Sequence, residues 1–161
     1  MSIPPDALAP RLKIVRILWI AMTVAVVIYT GFGIGLPLYI LPKPLLTEPV
    51  ADAFRLVAVI GSLVIGVVTI WWRRHSLTAD ALVAGATTTD ALLQRFHVAL
   101  LVSWALTDVI AILGLASAMI SHAPTIALVL GGAAVLLQLF VHRPPTDGLD
   151  EALRRHRLGV R

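Results

Sequence analysis

Four long apolar runs constrain this chain more than any other feature of its sequence. A bilayer core about 30 Å thick needs roughly 20 apolar residues of α-helix to cross it. Each run is long enough, and unsatisfied backbone polar groups exclude irregular structure in hydrocarbon, whereas barrel strands would alternate in polarity. The predicted spans cover residues 17–36, 54–72, 97–120 and 123–141. The sequence therefore predicts an all-α polytopic membrane protein, a single membrane domain (1–161) built as a four-transmembrane-helix bundle.

The composition agrees with a lipid environment. Of the 161 residues, 58% are hydrophobic and only 14% are charged, and the mean hydropathy is +0.91. A soluble domain of this size needs more charge to cover its surface, so an ordinary soluble globular protein is excluded. The chain has no cysteine, which excludes disulfide frameworks, thiolate metal sites and cysteine nucleophiles.

Basic residues are concentrated on one side of the predicted spans. Eleven of the 13 Lys and Arg residues precede the first span, lie between the second and third, or follow the fourth. They are Arg11, Lys13, Arg16, Arg73, Arg74, Arg95, Arg143, Arg154, Arg155, Arg157 and Arg161. The other two connections hold only Lys43 and Arg55. The positive-inside rule therefore predicts that both termini and the central loop are cytoplasmic, in the cell inner (plasma) membrane.

This one-sided charge indicates partners. Basic residues near a membrane surface attract anionic lipid headgroups, whereas charge that orients helices is no signal of nucleic-acid binding. We expect the lipid bilayer and anionic lipids as partners, together with other membrane subunits or copies of this chain, and no nucleic acid. The predicted headgroup or interface contacts are Trp71, Trp72, Arg73 and Arg74.

The connections differ in length and composition. Pro37–Ala53 holds four prolines and is predicted to be extended or turn-rich. Ser121–Pro124 is so short that the third and fourth spans must form an antiparallel hairpin. Asp90 is predicted to cap a helix that continues into the third span. Residues 144–161 are predicted to form a short cytoplasmic tail helix, with acids in its first turn and arginines in its last.

Asp108 is the main candidate functional residue. It lies eleven residues after His97, about 16 Å along the predicted helix and near the middle of the membrane. An ionised carboxylate at that depth costs roughly 2.5–3.5 kcal/mol on insertion scales, so we expect Asp108 to be protonated, hydrogen-bonded or turned towards partner helices. The alternative to a functional role is a neutral Asp108 bonded to Thr107, Ser103 or a neighbouring carbonyl, holding the bundle together.

The surroundings of Asp108 add a local resemblance. Ala105–Ala116 (ALTDVIAILGLA) resembles the carboxylate helix of the c subunits, or proteolipids, of rotary ATP synthases, in which the acid binds and releases a proton or sodium ion. The resemblance implies that Asp108 is the ion-binding carboxylate and that Thr107 is a neighbour in the site. It covers about twelve residues and places the acid on the third of four spans, with a central loop longer than that of a c subunit.

Pairs of small residues predict where the helices approach closely. Two small side chains four residues apart stand on one helix face and let another backbone come near. The candidate packing positions are Gly31, Gly35, Ser62, Gly66, Gly114, Ala127 and Gly131. They favour a packed bundle or an oligomer without choosing between the two.

Cofactor and metal sites are not expected. His97 and His142 sit at adjacent ends of one predicted hairpin and could approach each other, but no matched set of ligands accompanies them. Gln138 could bond across the bundle. The sequence carries no paired acids, no Ser–His pair and no intramembrane zinc motif, so no catalytic residue and no enzymatic activity are predicted.

Three functional interpretations remain. The first is a small integral subunit of a larger inner-membrane complex, in which a protonatable Asp108 supports ion binding or bonding between helices. The second is a purely structural or assembly subunit without a transport role, whose tail docks to a cytoplasmic partner. The third is a self-assembling, proteolipid-like ring or channel.

Overall fold

The computed structural model describes residues 5–41, 43–84, 86–144 and 147–158, without the side chains of residues 5–9, 147, 148 and 157. All its regular elements are helical. They are α1 (Pro5–Tyr39), α2 (Glu48–Ser76), α3 (Ala79–Val83), α4 (Thr89–Ser121), α5 (Pro124–Leu136, continued by a π-helical turn over Leu137–Val141) and α6 (Asp147–Leu158). Pro42 and Arg161, assigned above to the proline-rich connection and the basic tail, lie outside the described residues.

Four of these helices are long and apolar enough to cross a membrane. The qualifying stretches are Pro10–Tyr39, Glu48–Ser76, Thr89–Ser121 and Pro124–Val141. They contain the four spans predicted from the sequence and extend them, apart from Ala123 at the start of the fourth. The chain is therefore an all-helical protein, and its four long apolar helices are compatible with a membrane protein of four spans.

Two local predictions need correction. α1 continues through Pro37 to Tyr39, because a proline in the last turn of a helix removes only one hydrogen bond near its end. The irregular connection before α2 is therefore shorter than the predicted Pro37–Ala53. At the start of α4 the cap is Thr88, whose hydroxyl accepts from the Ala91 amide at 3.1 Å. Asp90 lies in the first helical turn instead, where its carboxylate pairs with Arg11 at 2.7 Å.

α4 is the central helix of the bundle. Of its apolar window, 44% is buried inside the protein, against 11% for α1, 17% for α2 and 28% for α5. α1 and α5 pack against each other and against α4, whereas α2 packs almost entirely on α4. α4 therefore joins α2 to the other two spans.

Small residues set the closest helix approaches, though not all of the predicted ones. A Cβ added to Gly131 would lie 2.9 Å from the Thr30 Cβ, and one added to Gly114 would lie 3.1 Å from the Leu130 Cβ. Within this chain Gly31 and Gly35 have no such contact. The close contact of α1 is made by Gly33, which lies two residues, or about 200° round the helix, from both Gly31 and Gly35 and therefore faces nearly the opposite way.

The other predicted packing positions lie at helix contacts. Ala127 lies against Gly33 and Gly114, where a Cβ on Gly33 would come within 2.5 Å of the Ala127 Cβ. On α2, Ser62 is buried, and a Cβ on Gly66 would meet Ile110 of α4 at 3.9 Å. The α2 contact is thus looser than the contacts of α5.

Besides the core between the spans, a second apolar core lies at one end of the bundle. We call this end the basic end because Arg73, Arg74, Arg95 and Arg143 are found there. There α3 and α6 fold onto the start of α4. The buried residues shared by these elements are Leu77, Leu82, Leu92, Leu93, Phe96, Leu149, Ala152 and Leu153. Arg155 of α6 ties this core together through Asp80 of α3 at 2.6 Å and Glu151 at 2.8 Å.

We predict that Gly131→Ala destabilises the protein by about 1–3 kcal/mol, because the new methyl group would be pressed against Thr30 of α1. Gly132→Ala is the matched control, since its methyl group would meet nothing within 4 Å and should leave stability unchanged or raise it by up to about 1 kcal/mol. Thermal unfolding of the purified protein in mild detergent measures both. Equal unfolding temperatures for the two variants would contradict the close α1–α5 contact.

Candidate functional site

Asp108 lies at the edge of the face of α4 that packs on α1. Residues seven apart stand on nearly the same side of an α-helix. Leu101, seven residues before Asp108, lines a groove together with Leu18 of α1. Leu115, seven residues after it, lies where a Cβ on Gly33 of α1 would come within 3.2 Å. Asp108 itself is half-buried, between the α1 contact and the uncovered side of the helix.

The carboxyl group of Asp108 is not bonded to its predicted neighbours. Its Oδ1 atom is buried and has no hydrogen-bond partner among the described residues. The Ser103 hydroxyl donates to the Ala99 carbonyl at 2.8 Å, and the Thr107 hydroxyl donates to the Ser103 carbonyl at 3.0 Å. Both hydroxyls are therefore hydrogen-bonded to backbone carbonyls of α4, and neither is bonded to Asp108.

The side of α4 next to Asp108 is uncovered by the rest of the chain. Leu101, Val109 and Ile112 are 41%, 39% and 43% exposed, and Ala105 is exposed as well. We call these four residues the uncovered face of α4. A group that approached this face from outside the chain would meet the Asp108 carboxyl at its edge.

Thr107 points in another direction, into a buried polar cluster. Its hydroxyl lies 3.2 Å from Nδ1 of His142. Because that hydroxyl donates to the Ser103 carbonyl, it accepts from Nδ1–H, and Nε2 of the neutral ring is left as an acceptor. Nε2 is buried and has no partner among the described residues. Thr107 and Asp108 are thus neighbours in sequence that face different surroundings.

The π-helical turn at the end of α5 supplies the backbone of this cluster. The His142 amide donates to the Leu137 carbonyl at 2.8 Å, which is the wider spacing of a π-helix. Two indole groups bind the local carbonyls at 3.0 Å, Trp104 to that of His142 and Trp19 to that of Gln138. α1 and α4 are therefore fastened to the end of α5 by tryptophan side chains.

Two side chains in this cluster are fully buried and have polar atoms without a hydrogen-bond partner among the described residues. Gln138 and His142 are each 0% exposed, and neither atom of the Gln138 amide has a hydrogen-bond partner among the described residues. The sequence indicates that Gln138 could bond across the bundle, but it does not predict this cluster. The available signal was the spacing of Gln138 and His142, four residues apart at the end of an otherwise apolar span.

His97 and His142 are not paired. His97 lines the groove between α1 and α4 with Leu18 and Leu101. The ring of His142 is directed at Thr107, ten residues or about 15 Å farther along α4. Among the described residues, no group of three or more His, Cys, Asp or Glu side chains is arranged to hold a metal ion.

The predicted interface residues gather where α2 ends. Trp71 is 56% exposed, and its ring lies 4.6 Å from that of His75. Arg73 donates to the carbonyl of Arg143, while Arg74 is exposed.

Burial and the nearby charge of Arg73 lower the pKa of His142 to about 4, which keeps that ring neutral at physiological pH.

Comparison of the chain with protein-family models, with curated proteins and with solved structures finds no match.

We predict that the folded protein loses stability as the pH falls from about 6.5 towards 4. In that window His142 takes up a proton in the unfolded chain, whereas in the folded chain its lowered pKa, about 4, keeps the ring neutral, so acid favours unfolding. His142→Asn retains a donor near the Nδ1 position without a titrating ring, and it should reduce the pH dependence. Thermal unfolding in detergent at a series of pH values provides the measurement.

An identical pH dependence in the His142→Asn variant and the unaltered protein would contradict the assignment.

Proposed function

We propose that the chain is an integral subunit of a larger complex in the cell inner membrane and that Asp108 binds a proton or an ion there. Four helices long and apolar enough to cross a membrane support the membrane part of the proposal. The excess of basic residues at one end supports an orientation with both termini in the cytoplasm.

The observation that carries the proposal is the buried, unbonded Oδ1 of Asp108. A carboxylate in hydrocarbon is expensive unless it is neutralised and hydrogen-bonded. The two nearby hydroxyls are already bonded to carbonyls of α4. What neutralises Asp108 therefore comes from outside the described residues, as a proton, a cation or a polar group of a neighbouring subunit.

The position of Asp108 at the edge of the bundle favours exchange of a proton or an ion with a neighbouring subunit. The uncovered face beside it is apolar, which suits a transmembrane helix of another subunit. The resemblance of Ala105–Ala116 to the carboxylate helix of c subunits supports the same role, because the acid in that family binds and releases an ion. In this proposal Asp108 alone carries the ion, since the Thr107 hydroxyl is bonded to Ser103 and faces His142.

The purely structural interpretation has less support. It assigns docking of a cytoplasmic partner to the tail, yet the apolar residues Leu149, Ala152 and Leu153 of α6 are buried in the second core of this chain. Among the described residues of α6, this apolar stripe is therefore already covered by the chain itself.

We predict that dicyclohexylcarbodiimide modifies Asp108 in the purified protein. The reagent partitions into apolar phases and reacts with protonated carboxyl groups, and the uncovered face gives it access to Asp108. Peptide mass spectrometry identifies the modified residue. Asp108→Asn should abolish this label without lowering the amount of protein in the membrane, whereas Asp90→Asn should retain it. An unmodified Asp108 would contradict a reachable, protonated carboxyl.

We also predict that Ala105→Trp releases the neighbouring subunits. A bulky ring on the uncovered face would separate a partner helix from Asp108, so the subunits that co-purify in mild detergent should be lost. Ala21→Trp is the matched control, because Ala21 is exposed on the far side of α1. Loss of the same subunits from both variants would contradict docking beside Asp108. A single homogeneous oligomer of this chain alone would favour the ring interpretation.

A further inference from the structure

A groove lies at the basic end of the bundle, on the opposite side of α4 from α1 and α5. It runs between the end of α2, α3 and the start of α4 and has a volume of about 640 Å³, within the range typical of small-molecule sites. Its apolar walls include Trp71, Trp72, Val98 and Ala99. The groove therefore has room and an apolar lining for a chain-like ligand.

Polar side chains also line this groove. They are Arg95, Gln94 and His75. The guanidinium group of Arg95 also contacts the carbonyl of Ala84. The groove thus presents a positive charge and an amide donor, which together suit an anionic oxygen-rich group.

The charge of Arg95 is not neutralised by nearby acids. Asp90 pairs with Arg11 at 2.7 Å, and Asp80 pairs with Arg155 at 2.6 Å. Among the described side chains, no ion pair involves Arg95. An anion in the groove would therefore find a cation whose neighbouring carboxylates are already paired elsewhere.

We propose that this groove binds one anionic glycerophospholipid. The phosphate lies against Arg95 and Gln94, and one acyl chain follows the wall formed by Trp71 and Val98. This site is separate from Asp108 and does not depend on the role proposed for that residue.

A lipid fits the groove better than a soluble anion does. The wall residues Trp71 and Val98 are 56% and 49% exposed on helices that are apolar enough to cross a membrane, so the groove is open on the side of the acyl chains. Tryptophan at the end of a transmembrane helix is typical of the headgroup level. Basic pockets between helices at that level recognise anionic headgroups.

The test uses the purified full-length chain in mild detergent with equal amounts of phosphatidylglycerol and phosphatidylcholine. Native mass spectrometry counts the bound lipids. We expect one phosphatidylglycerol to be retained in preference to phosphatidylcholine. Arg95→Gln should weaken that binding about fivefold, the effect of roughly one basic residue near a membrane surface. Arg95→Lys keeps the charge and should retain the preference.

The matched control is Arg16→Gln, which removes an equal charge from the exposed side of α1 and should leave lipid binding unchanged. Equal effects of Arg16→Gln and Arg95→Gln would overturn the site in favour of general surface charge. Equal retention of the two lipids by the unaltered protein would overturn the headgroup preference.

Two further measurements keep the proposal testable if Arg95→Gln fails to fold. Ala91→Phe places a ring in the groove from its α4 wall and should reduce phosphatidylglycerol binding while Arg95 is unaltered. Millimolar inorganic phosphate should not displace the bound lipid. Full displacement by phosphate, or undiminished lipid binding by Ala91→Phe, would show that the groove is not an acyl-chain site.

Discussion

The structure depends on the need of every backbone amide and carbonyl for a partner where no water is at hand. In hydrocarbon an α-helix meets this need because its amides and carbonyls bond to one another. The four long apolar helices follow from this constraint. Apolar side chains gain little from leaving lipid for one another, so close backbone approach has to hold the helices together. This accounts for Gly33, Gly114 and Gly131, each at a contact that a larger side chain would disrupt. α4 is central because the other three spans all pack on it, α1 and α5 through close backbone approaches and α2 through a looser contact at Gly66.

The exception to regular helix is informative. The π-helical turn over Leu137–Val141 alters the hydrogen bonding at the end of α5. The Trp19 indole donates to the Gln138 carbonyl within the turn, and the Trp104 indole donates to the His142 carbonyl just after it. Irregular backbone at the end of a span is tolerated where protein groups satisfy it. Gln138 lies in this turn and His142 follows it, and both side chains are buried in the interior. The irregular backbone and the buried polar cluster therefore occur together.

α4 therefore carries two kinds of polar site on different sides. Thr107 belongs to the interior cluster, in which a neutral His142 is held by a hydroxyl. Asp108, about 100° round the helix, lies at the edge beside a face that the chain leaves uncovered. The first arrangement stabilises the bundle from within, and the second calls for a group from outside. At the basic end a third arrangement, the groove around Arg95, combines apolar walls with an unneutralised charge.

The sequence by itself determined the helical class, the number of apolar helices and the isolation of one acid within them, because hydrophobic length and backbone bonding depend on local composition. It also indicated small residues at helix contacts, and within this chain the close contact of α1 is made by Gly33, not by Gly31 or Gly35. Which side of a helix faces inward depends on its partners, and only the tertiary structure decided that. Tertiary structure also decided three other features: the different surroundings of Thr107 and Asp108, the burial of the α6 stripe, and the π-helical turn. Each arises from contacts between residues distant in the chain.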